Sequence, residues 1–329
     1  MSRLPALLDR TTLALIATLL AAVLIPCRGA AATLVDGIST FAIAALFFLH
    51  GARLSRQAII AGLTHWRLHL LVLACTFIAF PLFGLALHWL LPAAWLRPEF
   101  AVGLLFLCAL PSTVQSSIAF TSMAHGNVAA AVCSASLSNL IGVFLTPLIV
   151  SMLLVTQAAG AVDLDAIGKI VLQLFVPFVA GHLARPLIGG WVERRKRLLA
   201  VTDRATVLLV VYVAFSASIV QGLWRSVPVS ALVALLVVVS VLLMLALVLT
   251  TTASRKLGFT REDEIAIVFC GSKKSLASGV PIAMVLFAGN PALGMIVLPV
   301  LLYHQIQLMA CAVIAQRYAR RAPIAAPDL

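Results

Sequence analysis

The stretch Glu264-Ile-Ala-Ile-Val-Phe-Cys-Gly-Ser-Lys-Lys-Ser-Leu-Ala-Ser-Gly-Val-Pro-Ile-Ala-Met284 decides the fold, because it places two adjacent lysines within a segment that is otherwise apolar. The helical rise from Glu264 to Lys274 is about 15 Å, which is half of a hydrocarbon core roughly 30 Å thick. Both lysines would then lie near the middle of a bilayer. A charge at that depth is costly, and it indicates a functional site by default.

The composition is that of a polytopic membrane protein. Hydrophobic residues make up 63% of the chain and charged residues 10%, which excludes an ordinary soluble domain. The six cysteines lie in or beside apolar runs without CxxC spacing, so we expect small core residues, with neither disulfides nor a metal site. The net charge of +12 alone would suggest nucleic acid, but its distribution fits membrane topology, and we expect no nucleic-acid partner. The Ala- and Arg-rich composition fits a bacterial inner membrane.

Ten apolar runs predict an all-α protein with ten transmembrane helices. They lie at about 11–27, 33–50, 68–91, 100–124, 127–154, 166–189, 204–223, 228–252, 264–288 and 291–315. With the N-terminus in the cytoplasm, the inner connections carry 17 Lys and Arg residues and the outer ones four, namely Arg28, Arg97, Lys169 and Arg225. This positive-inside bias predicts a multi-pass protein with both termini in the cytoplasm.

The first span has an alternative interpretation. Residues 1–30 contain two arginines, an apolar stretch and the run Gly29-Ala-Ala-Ala32, a pattern that also resembles a cleaved signal peptide. Cleavage would leave nine spans. The apolar run of about 17 residues is long enough to cross a bilayer, and this favours a retained span.

Five spans followed by five spans predict two inverted repeats, residues 1–157 and residues 158–329. The fourth and ninth spans carry related interruptions, Cys108-Ala-Leu-Pro-Ser-Thr-Val-Gln-Ser-Ser117 and Cys270-Gly-Ser-Lys-Lys-Ser-Leu-Ala-Ser-Gly-Val-Pro281. Proline, glycine and hydroxyl residues at mid-span break a helix and free backbone groups, which persist at that depth only beside protein or a water-lined cavity. Paired interrupted helices are the best sequence pointer to a substrate site in a transporter.

The candidate substrate- or ion-binding residues are polar side chains of the fourth, fifth, ninth and tenth spans: Ser112, Gln115, Ser116, Ser117, Ser134, Ser138, Asn139, Lys273, Lys274, Ser275 and His304. A lysine could hold an anionic substrate group or carry a coupling proton; alternatively, it could satisfy carbonyls of a broken helix. We expect one lysine to face a cavity. The hydroxyls could orient substrate or cap backbone carbonyls, and His304 could relay a proton or be structural. We expect no cofactor.

Three stretches carry a resemblance to a known family. They are Phe269-Cys-Gly-Ser-Lys-Lys-Ser-Leu276, Leu301-Leu-Tyr-His-Gln305, and the unit from Pro111 through Gly126-Asn127 to Thr146-Pro147. Nearly the whole chain resembles the bile acid/sodium symporter superfamily (solute carrier family 10), and more closely its bile-acid-symporter-like branch related to the seventh human member. This resemblance implies a panel of spans 1, 2, 6 and 7 and a core of spans 3–5 and 8–10, with spans 4 and 9 unwound where they cross.

The resemblance also implies that the two sodium sites of the family are lost. The positions that match its sodium ligands are occupied here by Phe269, Gly271, Lys273, Lys274, Ser116, Ser117, Ala131, Ala135 and Thr76. A sodium ion a few ångströms from an ammonium would be disfavoured by several kcal/mol at low effective dielectric. We therefore expect that the protein does not use those sites, and that a lysine stands in for the sodium charge.

The sequence thus favours a secondary transporter of a small organic anion that works by alternating access, with proton coupling or uniport. One alternative is a sodium-coupled bile-acid-type symporter. Another is a transport-inactive regulatory or scaffold membrane protein linked to ion homeostasis. We expect no enzymatic activity, because no catalytic motif is present. The substrate, the coupling ion and the oligomeric state stay open.

Overall fold

The computed structural model describes residues 10–53, 65–92, 95–155 and 171–320, and within these ranges every regular element is helical. Eight helical segments are long and apolar enough to cross a membrane. Two shorter apolar helices, Thr11–Leu24 and Pro98–Ala109, occupy the places of the first and fourth predicted spans. The all-α, multi-pass prediction is confirmed, whereas the count of ten spans and the inverted repeat stay predictions. The boundary at residue 157 lies outside the described residues, as do Arg3, Arg56, Lys169 and Arg321.

The helices follow one another with few interruptions. Residues 10–155 form α1 (Arg10–Leu24), α2 (Gly29–Arg53), α3 (Trp66–Ala74), α4 (Phe80–Leu90), α5 (Pro98–Ala109), α6 (Gln115–Met123) and α7 (Val128–Val155). Residues 176–320 form α8 (Val176–Arg194), α9 (Lys196–Val220), α10 (Val229–Lys256), α11 (Arg261–Gly271), α12 (Leu276–Leu286) and α13 (Leu293–Arg320). A π turn at Cys75–Ala79 joins α3 to α4, and a second one at Val171–Phe175 leads into α8.

Helix α2 packs against α8 and α9, and α1 packs against α9. Two glycines allow the backbones of α2 and α8 to approach closely. A Cβ atom on Gly51 would overlap the carbonyl of Phe178, and one on Gly181 would overlap the carbonyl of Phe48. Small residues at a helix crossing are the usual means of tight association in a membrane, where apolar side chains gain little by leaving lipid. These four helices correspond to the predicted panel, although the division into panel and core stays a prediction.

The remaining helices pack around α11 and α13. Helix α11 contacts α3, α6, α7 and α10, and α13 contacts α5, α6, α9, α10 and α12. The α11–α12 segment is by far the most enclosed, since 94% of its most apolar window is buried. A buried segment that carries two lysines can only be stable if the surrounding helices accommodate those charges. A functional site is therefore expected around this segment.

Candidate functional site

Two helix breaks meet in the middle of the fold. Helix α5 ends at Ala109 and α6 begins at Gln115, while α11 ends at Gly271 and α12 begins at Leu276. The backbone N–H of Ser275 in the second break donates a 2.8 Å hydrogen bond to the carbonyl of Pro111 in the first. The sequence predicted both interruptions, and the structure brings them into direct contact. Each break exposes backbone groups that need partners.

Ser112 in the first break and Ser117 in the first turn of α6 satisfy carbonyls at the end of α11. Ser112 Oγ donates to the Cys270 carbonyl at 2.6 Å, and Ser117 Oγ donates to the Phe269 carbonyl at 2.8 Å. Both carbonyls lie in the last turn of the helix, where no intrahelical donor is available. The alternative interpretation of the hydroxyls, as caps of backbone carbonyls, thus describes these two serines.

Helix α7 supports the same break through Asn139. Its Nδ2 donates to the Ser112 carbonyl at 2.7 Å, and its Oδ1 accepts from Ser278 Oγ at 2.7 Å. Ser138 Oγ accepts the Ser112 N–H at 3.0 Å. Ser134 lies apart from this network, in a 2.7 Å hydrogen bond with His69 Nδ1. Asn139 therefore bridges the first break and helix α12.

The Lys274 side chain fills a cage of backbone oxygens. Its Nζ donates to the carbonyls of Thr76 at 2.8 Å, Cys108 at 2.9 Å and Leu110 at 2.7 Å. Each acceptor comes from an irregular stretch: Thr76 lies in the π turn, and the other two lie at the end of α5 and in the break. An ammonium has three N–H donors, so these bonds use all of them. The Phe80 ring lies below the ammonium, 4.0 Å from Nζ to the ring centroid.

A glutamine connects the backbone of Lys274 to helix α13. Gln307 Oε1 accepts the Lys274 N–H at 2.9 Å, and Gln307 Nε2 donates to the Lys274 carbonyl at 2.9 Å. The same amide lies 2.9 Å from His304 Nδ1. Gln307 was not among the residues predicted from the sequence, although a glutamine one turn after His304 in an apolar run was a usable signal.

Lys273 has a different environment from its neighbour. Its side chain is fully buried, and Nζ has no hydrogen-bond partner among the described residues. The ammonium lies over the Phe120 ring, 3.9 Å from the centroid, and 5.7 Å from the Phe269 centroid. Aromatic faces attract cations, so the Phe120 ring provides a favourable electrostatic contact for the Lys273 ammonium.

A cavity of about 590 Å³ extends from the two breaks to one end of the helices. At the breaks it is lined by polar side chains, namely Thr113, Gln115, Ser116, Ser136, Asn139, Ser275, Ser278, His304 and Gln305. Its middle is apolar, with Phe47, Val143, Phe178 and Val207 among the lining residues. Such a shape suits a molecule with a polar head and an apolar body.

The far end of this cavity is lined by charged and titratable side chains. Arg53 forms a bidentate pair with the buried Asp203, at 2.6 and 3.2 Å, and His50 Nε2 lies 4.0 Å from the same carboxylate. Arg204 is exposed and also lines the cavity. In the sequence, the arginines contributed only to the predicted orientation of the chain, and their position on the cavity wall was not predicted.

The structure divides the candidate residues into two groups. The cavity is lined by Gln115, Ser116, Asn139, Ser275 and His304. The others lie behind its wall, in contacts that hold the breaks and their surroundings together: Ser112, Ser117, Ser134, Ser138, Lys273 and Lys274. Neither lysine lines the cavity, because Lys274 points to the carbonyls of α5 and the π turn, and Lys273 points between aromatic rings. Whether any of these residues binds a substrate or ion stays a prediction.

A second cavity of about 800 Å³ lies toward the opposite helix ends. It is lined by residues near the start of α2, the end of α9 and the end of α12. Along α2, Ile43 lines the second cavity and Phe47 lines the first, which is a separation of one helical turn, about 6 Å. Only a thin layer of packed side chains therefore separates the two cavities there.

The SBF-like CPA transporter family matches residues 9–320. The chain is 62% identical to "Uncharacterized protein PA2026" of Pseudomonas aeruginosa, over 100% of this chain and 98% of that protein. It is 52% identical to "Putative symporter YfeH" of Escherichia coli, over 96% of this chain and 94% of the relative. It is 29% identical to "Sodium/bile acid cotransporter 7" of Rattus norvegicus, over 84% and 82% of the two chains.

Proposed function

The chain belongs to the SBF-like CPA transporter family, and we propose that it is a secondary transporter of an organic anion in which Lys274 takes the place of a bound sodium ion. It would work by alternating access in a bacterial inner membrane, with both termini in the cytoplasm. The putative-symporter and cotransporter names of its relatives support membrane transport as the class of activity.

The observation that carries this proposal is the carbonyl cage around Lys274. Backbone oxygens at 2.7 to 2.9 Å that are freed by a helix end and a π turn form the kind of site that a cation needs. Here the cation is covalently part of the chain. A sodium ion in the same cage would lie against a fixed positive charge and would be strongly repelled. The cage therefore supports a site, at the contact between the two helix breaks, whose positive charge does not depend on sodium.

The charges around the first cavity support an anionic substrate. Lys273 and Lys274 lie behind the break, and among the described residues neither forms an ion pair with a carboxylate. At the other end of the cavity, Asp203 is already paired with Arg53, whereas Arg204 adds an exposed positive charge. A low-dielectric wall with excess positive charge attracts anions from solution. The polar side chains near the break would then orient the bound molecule.

The two cavities support alternating access. Because they approach within about one helical turn of each other, a small shift of one helix group against the other could close one cavity and open the other. Gln307 links this movement to the site, since its amide holds both backbone groups of Lys274 and contacts His304 on the cavity wall. A ligand that moves His304 would thus act on the geometry of the break.

Ligand-dependent thermal stability of the purified full-length protein tests the proposal. The probes are cholate, octanoate and citrate, each in sodium chloride and in choline chloride. A ligand that binds only the folded protein raises its stability, by about 2.7 kcal/mol at a hundredfold excess over Kd. We expect at least one anion to raise the melting temperature equally in both salts. The anion that does so is then tested for uptake into proteoliposomes without sodium.

Two arginine variants provide the matched control. Arg204→Ala removes a charge from the cavity wall, whereas Arg225→Ala removes an exposed charge that lines neither cavity. We expect a weaker anion effect in the first variant and an unchanged one in the second. An anion effect that requires sodium would instead support the sodium-coupled alternative, which the name of the rat relative favours. A protein that neither responds to nor transports any of the anions would refute the transporter proposal and support the scaffold alternative.

A further inference from the structure

The two lysines differ in the number of hydrogen bonds that each would lose on deprotonation. Lys274 donates to three carbonyls, and a neutral amine has only two N–H groups, so deprotonation would leave one buried carbonyl without a partner. That loss amounts to the desolvation penalty of an unsatisfied polar group. Lys273 donates to no described acceptor and would lose no hydrogen bond. The number of acceptors therefore keeps Lys274 charged and leaves Lys273 free to change.

The groups that face Lys273 do not fix its charge. The titratable groups that interact with it are the thiols of Cys270 on α11 and Cys311 on α13. From α6 it meets the Phe120 ring, and no carboxylate of the described residues forms an ion pair with it. The aromatic face stabilises the ammonium, whereas the apolar surroundings favour the uncharged amine.

The Phe120 ring also separates Lys273 from the first cavity. The ring lines the cavity, and the same ring lies 3.9 Å from the Lys273 Nζ. It is only partly buried, in contrast to the fully buried Phe269 ring that also lies near the amine. A rotation of this one side chain would place the amine in contact with the cavity and with any water in it.

We propose that Lys273 is the site that binds and releases the coupling proton, with Phe120 as a movable partition and Lys274 as a fixed cation. This inference rests on the proposed transport function. In the releasing step, one N–H bond of the ammonium breaks, the proton passes to water in the cavity, and the bonding electrons stay on the nitrogen as a lone pair. In the loading step, the lone pair takes a proton back, and no other bond changes.

A pH jump on the intact, reconstituted protein tests this assignment without any organic substrate. Proteoliposomes adsorbed on a solid-supported membrane are switched between about pH 9 and pH 6, a range in which a buried lysine can change its protonation. Proton binding within the membrane produces a transient current. Lys273→Arg keeps a cation that does not deprotonate in proteins, so we expect it to abolish the transient. Lys256→Arg, at the exposed end of α10, should leave the transient unchanged, and Phe120→Leu should make it faster.

A second measurement needs no substitution at position 273. Reductive methylation modifies only neutral amines, and mass spectrometry locates the product. We expect methylation of Lys273 to increase as the pH rises, to be faster in Phe120→Leu, and to spare Lys274. A wild-type protein without a transient, a transient that persists in Lys273→Arg, or methylation of Lys274 before Lys273 would each overturn the assignment. An anion effect without a proton transient would leave the proposed function intact as uniport, so the two proposals fail separately.

Discussion

Replacing Lys274 with alanine tests the strongest contact in the site. The substitution removes three hydrogen bonds of 2.7 to 2.9 Å and leaves the carbonyls of Thr76, Cys108 and Leu110 without their donor. Each unsatisfied buried acceptor costs about 1–3 kcal/mol, which gives an upper range of about 3–9 kcal/mol. Removing the ammonium also removes its own desolvation penalty, which is several kcal/mol. We therefore expect a net loss of about 2–4 kcal/mol in the free energy of unfolding.

The assay is unfolding of the detergent-purified protein, followed by tryptophan fluorescence, for the wild type, Lys274→Ala and Lys256→Ala. Lys256 is exposed at the end of α10, so its loss should change stability by less than about 0.5 kcal/mol. Ethylammonium is a small cation with the same three donors, and it should bind the cage of the alanine variant alone. At ten times its Kd it would restore about 1.4 kcal/mol.

Sodium provides the sharper comparison within the same experiment. Once the fixed cation is gone, the carbonyl cage should accept Na⁺, and the alanine variant should gain a sodium-dependent stabilisation that the wild type lacks. If Lys274→Ala is as stable as Lys256→Ala, the carbonyls do not depend on the lysine. If neither ethylammonium nor Na⁺ stabilises the variant, the interpretation of the cage as a cation site is wrong.

Three further substitutions test the packing around the site. Gly181→Ala places a Cβ atom on the Phe48 carbonyl and should cost about 1–3 kcal/mol by unfolding, whereas Gly190→Ala on the same helix meets no atom within 4 Å and should be neutral or slightly stabilising. Tyr303→Phe removes a buried 2.7 Å hydrogen bond to the Ser272 carbonyl and should lower the free energy of unfolding by about 1–2 kcal/mol. Tyr212→Phe removes an exposed hydrogen bond of the same length and should lower it by less. Equal effects of the two substitutions would contradict the argument from burial. Arg53→Ala leaves the buried Asp203 without its bidentate partner and should destabilise more than Arg225→Ala, as thermal unfolding would reveal.

The helix breaks could be predicted from sequence because their cause is local. Pro111, Gly271 and the serines clustered beside them together disfavour a continuous helix through local backbone chemistry, whereas the single prolines Pro147 and Pro299 lie inside α7 and α13. The π turn at Cys75–Ala79 could not be predicted in the same way. Its residues are ordinary for an apolar helix, and the contact of its Thr76 carbonyl with Lys274 forms only in the folded protein.

The partners of the lysines could not be predicted from the sequence either. Three of the atoms that bind Lys274 are backbone carbonyls, which every residue has, so no residue type reveals them. Side chains at adjacent helical positions point about 100° apart, so the two lysines were expected to have different partners. The sequence around them is apolar and did not indicate which partners these are. For Arg53, Asp203 and Arg204 the difficulty was different, because membrane topology alone explains charges at helix ends and hides their place on a cavity wall.

A cation that is part of the chain changes the energetics of anion transport. A bound sodium ion crosses with its substrate and compensates the charge of the anion, whereas Lys274 stays in the protein. A monovalent anion moving alone would then carry one net negative charge, and the membrane potential would act on it with about 2.3 kcal/mol per 100 mV. In a cell that is negative inside, this force drives anions outward. A fixed lysine without proton coupling therefore favours export, whereas one proton carried on Lys273 would make the transport of a monovalent anion electroneutral in either direction.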